Sequence, residues 1–249
     1  MSRRVPFRSV VVSEWTKLRS VRSTWWCTAL YLLVVGAGGW FGAAITESAP
    51  EPYLAVGSAL TGFGFGQIVL VVLAVLAVTG EFRTGMVLAS FASVPRRGRL
   101  LLAKTVVVGA WCVLLSSALA LFCWFAATRL TAVEGGIPLT DPGVLRQLGV
   151  QVAAATLTGV LALGLGALLR SSAGALGVAL GVLFLLHPLL AISETSAGDR
   201  IGRFVPALRV GEDAFLAVQT PWQTGLLVLA SWAAAAWVLG VVLLERRDV

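Results

Sequence analysis

Residues 57–79 read GSALTGFGFGQIVLVVLAVLAVT, a run without a single Asp, Glu, Lys or Arg. A helix rises 1.5 Å per residue, so about 20 mostly apolar residues cover the roughly 30 Å of a bilayer's hydrocarbon. This run meets that requirement. Five further stretches do so as well, at approximately 24–45, 101–127, 148–169, 172–193 and 224–244. The pattern predicts an all-α polytopic membrane protein of six transmembrane helices, built as a single domain over 1–249. Only Arg170 and Ser171 separate the fourth and fifth stretches, which predicts a tight helical hairpin there.

Composition agrees. The hydrophobic set makes up 58% of the chain and the charged set 12%, with 27 glycines besides. Soluble domains carry about 25% charge, so this chain lacks the polar surface that water would demand. Glycines four apart, at Gly38/Gly42, Gly62/Gly66 and Gly177/Gly181, form three small-xxx-small pairs that allow close helix approach in lipid. The net charge of +7 raises the question of nucleic acid. The basic residues, however, sit in short clusters between apolar runs, as charges do when they set membrane orientation, and no nucleic-acid partner is expected.

Sorting Lys and Arg by alternate loops gives that orientation. One side holds Arg3, Arg4, Arg8, Lys17, Arg19, Arg22, Arg83, Arg96, Arg97, Arg99, Lys104, Arg170, Arg246 and Arg247. The other holds only Arg129, Arg146, Arg200, Arg203 and Arg209. Both termini are therefore expected in the cytoplasm and the span count is even. The polar, basic stretch before the first apolar run, and the length of that run, argue against a cleaved signal, whose h-region is about 7–15 residues.

Two cytoplasmic pieces do more than connect. Over residues 7–22, Phe7, Val10, Val11, Trp15, Leu18 and Val21 share one arc of a helical wheel, broken only by Glu14. This predicts an amphipathic helix lying in the membrane interface; the alternative is a polar arm carrying orienting charges. Between spans two and three, residues 80–100 read GEFRTGMVLASFASVPRRGRL. Residues 86–94 are long enough for two helical turns, Gly80 and Gly85 bend the chain before them, and Pro95 ends the helix.

Little points to chemistry within the chain. His187, the one histidine, stands beside Pro188 in span five without Cys, Asp or Glu at ligand spacing. Ser116 and Ser117 are the hydroxyls an intramembrane hydrolase would pair with it, but no motif surrounds them. Gly98 to Thr105 approaches the phosphate-binding pattern GxxxxGK[ST], yet Ala103 replaces the second glycine and no strand comes before it. Cys27, Cys112 and Cys123 lie inside apolar runs and read as free thiols. No span interior holds an unpaired charge of the kind ion-coupled transporters use. Residues 194–223 form a long outer loop whose apolar parts either dip into the outer leaflet or stay exposed.

This order of parts resembles the ABC-2 type family of ABC-transporter permeases. Ser13-Glu14-Trp15-Thr16-Lys17-Leu18-Arg19-Ser20, with Arg22-Ser23-Thr24-Trp25, is similar to the N-terminal lead-in of many bacterial members. Gly80-Glu81-Phe82-Arg83-Thr84-Gly85 is similar to the family's E-x-R-x-G signature after span two, although Met86 stands where a Thr often follows. The resemblance covers nearly the whole chain. It implies the permease subunit of an exporter in the bacterial cytoplasmic membrane, moving a hydrophobic or amphipathic substrate. ATP and Mg would be bound by a separate ATPase subunit, with no cofactor in this chain, and the permease would pair with itself or a related chain. Residues 7–22 would be an elbow helix resting on membrane lipid through Val11, Trp15 and Leu18. ATPase coupling would use Glu81, Arg83, Gly85, Met86, Val87, Leu88 and Phe91, with Glu81 and Arg83 pairing charges near the membrane surface; ordinary stop-transfer charge is the alternative for those two. Among the small and aromatic positions of spans two and five, Phe63, Phe65 and Phe184 are the residues expected to face a substrate. A non-transporting membrane scaffold or sensor, an intramembrane enzyme using His187 and a secondary transporter are the competing readings.

Overall fold

A computed structural model describes residues 6–46, 51–84, 97–186, 189–190, 204–206 and 222–246. Among the described residues every regular element is a helix. Helix α1 spans Phe7–Ser20, and the extended backbone of Val21 turns the chain directly into α2, Arg22–Ala44. Helix α3, Pro52–Leu60, begins with a proline in its first turn, where the missing N–H costs no intrahelical bond. Thr61 separates it from α4, Gly62–Thr84. Helix α5 runs over Arg97–Leu130 and α6 over Pro142–Leu169. The Asp141 side chain caps α6 by accepting from the N–H groups of Gly143 at 2.6 Å and Val144 at 3.2 Å.

The chain reverses between Leu169 and Ser172. Arg170 takes a left-handed conformation at φ 53°, which suits glycine better than a residue with a β-carbon. Its guanidinium lies 5.5 Å from the centroid of the Phe82 ring, a cation–π contact that ties the turn to α4. Helix α7, Ser172–Leu180, starts under a Ser171 cap and passes into a π-helical turn at Gly181–Leu186. Helix α8 covers Trp222–Arg246.

Among the described residues, five helical stretches are long and apolar enough to cross a membrane: Arg22–Ala44, Pro52–Phe82 (α3 and α4 together), Gly98–Leu130, Pro142–Leu169 and Trp222–Arg246. Span two thus begins five residues before the stretch read from sequence, and it is two helices rather than one. The expected span at 172–193 is represented by a shorter apolar helix over Ser172–Leu186; most of its remainder lies outside the described residues. Large apolar side chains face outward along these helices, with Leu33 64%, Phe41 66% and Leu227 70% exposed. Such a surface is costly in water and ordinary in lipid, and it suits a multi-pass membrane protein.

Helix α6 is the centre of the bundle, packed against α8, α4, α5 and α7. Its Gly164 meets α8 so closely that a β-carbon there would stand 2.9 Å from the Trp237 nitrogen. At one end, the far end, α2 crosses α3 and α4 through glycine. A β-carbon on Gly38 would lie 2.8 Å from the Gly62 Cα, and one on Gly62 would lie 2.6 Å from the Val35 carbonyl oxygen. The first two glycine pairs therefore face each other. The third does not, since β-carbons on Gly177 and Gly181 would meet nothing within 4 Å. At the opposite end, the elbow end, α1 lies along α5 beside the start of α2 and the close of α4.

Candidate functional site

Helix α1 buries Val10, Glu14 and Leu18, three residues spaced by four and therefore on one stripe. This corrects the wheel reading: Glu14 is the centre of the buried face rather than a break in it, and Val21 at the helix end is 49% exposed. Val10 packs on Leu100 and Ala103 of α5, and Val11 and Phe7 rest against the same cluster. One turn further along lies Glu14, only 2% exposed. A carboxylate so far from water is stable only when paired and hydrogen-bonded.

Its partners come from two directions. Lys17, one turn away on α1, donates to Glu14 Oε1 at 2.6 Å. Lys104 of α5, itself 7% exposed, donates to Glu14 Oε2 at 2.5 Å. Both lysines also reach Glu81 Oε1 of α4, Lys104 at 2.9 Å and Lys17 at 3.2 Å. Two ammonium groups thus bridge two carboxylates, and three elements distant in sequence meet at one point. Burial pulls the Lys17 ammonium down, but hydrogen bonding and charge from Glu14, then from Glu81, outweigh it and hold the group above its usual range.

A cavity of about 360 Å³ opens beside this quartet. Glu14, Lys17, Glu81 and Lys104 line it together with Ser20, Ser23, Thr24 and Ser172, while Leu73, Leu76, Val107 and Val108 supply apolar wall. Ser172 donates to Thr79 Oγ1 at 2.7 Å, which pins the start of α7 to α4 at the cavity's side. Aromatic contacts hold the elbow above it. Trp111 of α5 meets Trp15 edge-on at 5.5 Å and Trp25 at 5.9 Å, and its indole N–H donates to Thr28 at 3.1 Å. The Trp25 indole closes the bend by donating to the Arg19 carbonyl at 2.8 Å.

Of the residues expected from sequence to couple to an ATPase, Glu81 stands in the quartet. Arg83 belongs to α4, but its side chain lies outside the described residues, as do Gly85, Met86, Val87, Leu88 and Phe91. Leu18 is buried in the main core, and Val11 and Trp15 are partly buried against it. Their contacts are with the bundle, so the inner face of α1 is protein-covered rather than free for lipid. Phe63 is fully buried with its ring edge-on to Tyr31 at 6.3 Å, so within this chain it is a core residue. Phe65 is 71% exposed, and Phe184 is partly buried in the π-helical turn. His187 lies outside the described residues, and so does most of the 194–223 loop. Phe204, within that loop, accepts from the Trp232 indole of α8 at 2.8 Å. Ser116 is buried and shares a hydrogen bond with the Tyr31 hydroxyl at 2.9 Å.

Sequence reading missed Glu14, Lys17 and Lys104 as members of one site. The signals were present. Glu14 and Lys17 are three apart on a helix, the spacing of an ion pair, and Lys104 stands inside an otherwise apolar run. What no single sequence shows is that the two would meet. In comparisons with known proteins, no family model matches this chain and no curated protein does so.

Proposed function

We propose that this chain is the membrane-spanning permease subunit of an ABC-2 type exporter in the bacterial cytoplasmic membrane. It would be driven by a separate ATPase and carry no catalytic residues of its own. One observation carries the reading. The two segments on which the family resemblance rests, Ser13–Ser20 and Gly80–Gly85, converge in space, because Glu14 of the first and Glu81 of the second share both Lys17 and Lys104. In a permease, force from an ATPase enters through the loop after span two. A charge bridge from the last turns of that span to α1 would carry the displacement into the elbow.

In this reading both termini are cytoplasmic, the elbow end faces the cytoplasm, and 172–193 completes the sixth span. Residues 86–94 are the coupling helix. A second permease chain, identical or related, completes the pathway, with exposed Phe65 and partly buried Phe184 as candidates to face a hydrophobic or amphipathic substrate.

The test is purification of the tagged protein from its native host in mild detergent or nanodiscs, with mass spectrometry of what accompanies it. A stoichiometric P-loop ATPase, lost when 86–94 is replaced by a Gly/Ser linker, is the expected result. A monodisperse chain without ATPase, under conditions that keep other ABC complexes intact, would overturn the proposal in favour of a scaffold or sensor.

A further inference from the structure

We infer that the elbow cavity binds the headgroup of a membrane phospholipid bearing both an ammonium and a phosphate, of the phosphatidylethanolamine type. The inference needs only that the apolar helices lie in a bilayer and does not depend on export.

The cavity itself is the first argument. An ion-pair clasp needs no empty space, and protein interiors hold few voids larger than a water molecule. Here about 360 Å³ adjoins the clasp, a volume in the range of small-molecule sites. Its lining changes character along the helices. On α4 it passes from Glu81 through Ala77 to Leu73, and on α5 from Lys104 to Val107 and Val108, so charge gives way to apolar wall within about two turns. That division suits an amphiphile, with a charged head at the quartet and a chain along the apolar wall.

The quartet also selects the head. A simple anion drawn to Lys17 or Lys104 meets the carboxylates that already bridge them, and a simple cation meets the reverse. A zwitterion satisfies both signs, with phosphate at the lysines and the Ser23 hydroxyl, and ammonium at Glu14 and Glu81. A primary ammonium donates hydrogen bonds to those carboxylates, whereas a quaternary one has no N–H to give.

The rim points to the bilayer as the source. Exposed Ser20 and Val21 stand at the junction of α1 and α2, where the apolar helix begins. Trp25 and Trp26 follow at once, 49% and 76% exposed, and indoles favour headgroup depth. A phospholipid therefore reaches the mouth from the membrane without crossing water.

The test is native mass spectrometry of the full chain in detergent, titrated with dioleoyl phosphatidylethanolamine, phosphatidylcholine and phosphatidylglycerol. Phosphatidylethanolamine should be retained about tenfold better than either other lipid. Ala77→Leu, which places bulk on the cavity lining, should remove that retention, and Glu14→Gln should reduce the preference. Equal retention of the three lipids, or a preference unchanged by both substitutions, overturns the inference. Should the variants fail to fold, Cys27 decides in the wild type, because it lines the cavity while Cys112 and Cys123 are buried. Modification of Cys27 by N-ethylmaleimide should slow several-fold with phosphatidylethanolamine and not with phosphatidylglycerol. An unchanged rate overturns the proposal.

Discussion

At the far end of the bundle α2, α3 and α4 touch backbone to backbone, whereas at the elbow end α1, α4 and α5 are joined by four charged side chains beside a cavity. The two ends solve the same problem under different constraints. Lipid gives apolar helices no hydrophobic reason to associate, so contact must come from close van der Waals fit or from polar bonds. Glycine contacts are short-ranged and admit one geometry, since a shift of an ångström forfeits them or creates a clash. Lysine and glutamate reach on flexible stems. Because each lysine bridges both carboxylates, one contact can lengthen without stranding a charge. The far end therefore has one tolerated geometry, whereas the elbow end tolerates small changes in the length of its contacts.

The sharpest way to break the comparison is to put a side chain into the glycine crossing. Gly62→Val sets a β-carbon against the Val35 carbonyl and the Gly39 nitrogen, both backbone atoms that cannot swing aside. The loss should reach about 5 kcal/mol or more, the range reserved for severe overpacking, and should remove most folded protein in detergent. Gly177→Ala is the control. Its β-carbon meets nothing within 4 Å, so replacing a helical glycine there should leave the melting temperature unchanged or raise it, by up to about 1 kcal/mol of stability. Equal damage from the two substitutions would mean that the α2–α4 contact is not formed.

Lys104→Met tests the other end. It removes the more buried of the two cations and leaves Glu14 and Glu81 to share Lys17. Breaking a buried pair in this way costs about 3–5 kcal/mol, measured as a fall in thermal stability. Adding Glu14→Leu removes one charge of each sign, keeps Lys17 with Glu81, and should recover more than half of that loss. Absence of recovery would show that Glu14 and Lys104 do not act as a pair. Trp111→Leu should cost less, about 1–3 kcal/mol for two edge-on aromatic contacts. Its clearest effect should be faster tryptic cleavage at Lys17, as α1 loses its anchor on α5.

These contrasts also show what one sequence can and cannot reveal. The long apolar helices are legible because each depends on the composition of its own stretch. The three glycine pairs look alike in sequence, yet only Gly38/Gly42 and Gly62/Gly66 find each other, since the choice depends on which helix faces which. The break at Thr61 has no strong local signal, for a threonine between two apolar runs passes for span interior. Glu14 is the instructive case. On α1 alone it interrupts an apolar arc; packing on α5, where Lys104 joins Lys17 in pairing it, makes that arc a buried face. The charge quartet is a property of three helices together, and none of them carries it alone.

The smallest expected effect concerns Lys17. Its side chain is 25% exposed, and its two carboxylate partners keep Lys104 when it is removed. Lys17→Ala should therefore cost about 1 kcal/mol or less. The pH dependence gives this small number a signature. The folded protein holds the ammonium above its ordinary pKa of 10.5, so the contribution is complete below that value and is lost only as pH rises through the raised one. The gap in melting temperature between wild type and Lys17→Ala should stay level from about pH 7 to pH 10 and close above pH 10.5. A gap that closes well below pH 10 would mean that Lys17 is not held by Glu14 in solution. Glu14 would then depend on Lys104 for its charge pairing, and the tolerance that two exchangeable cations give the elbow would be lost.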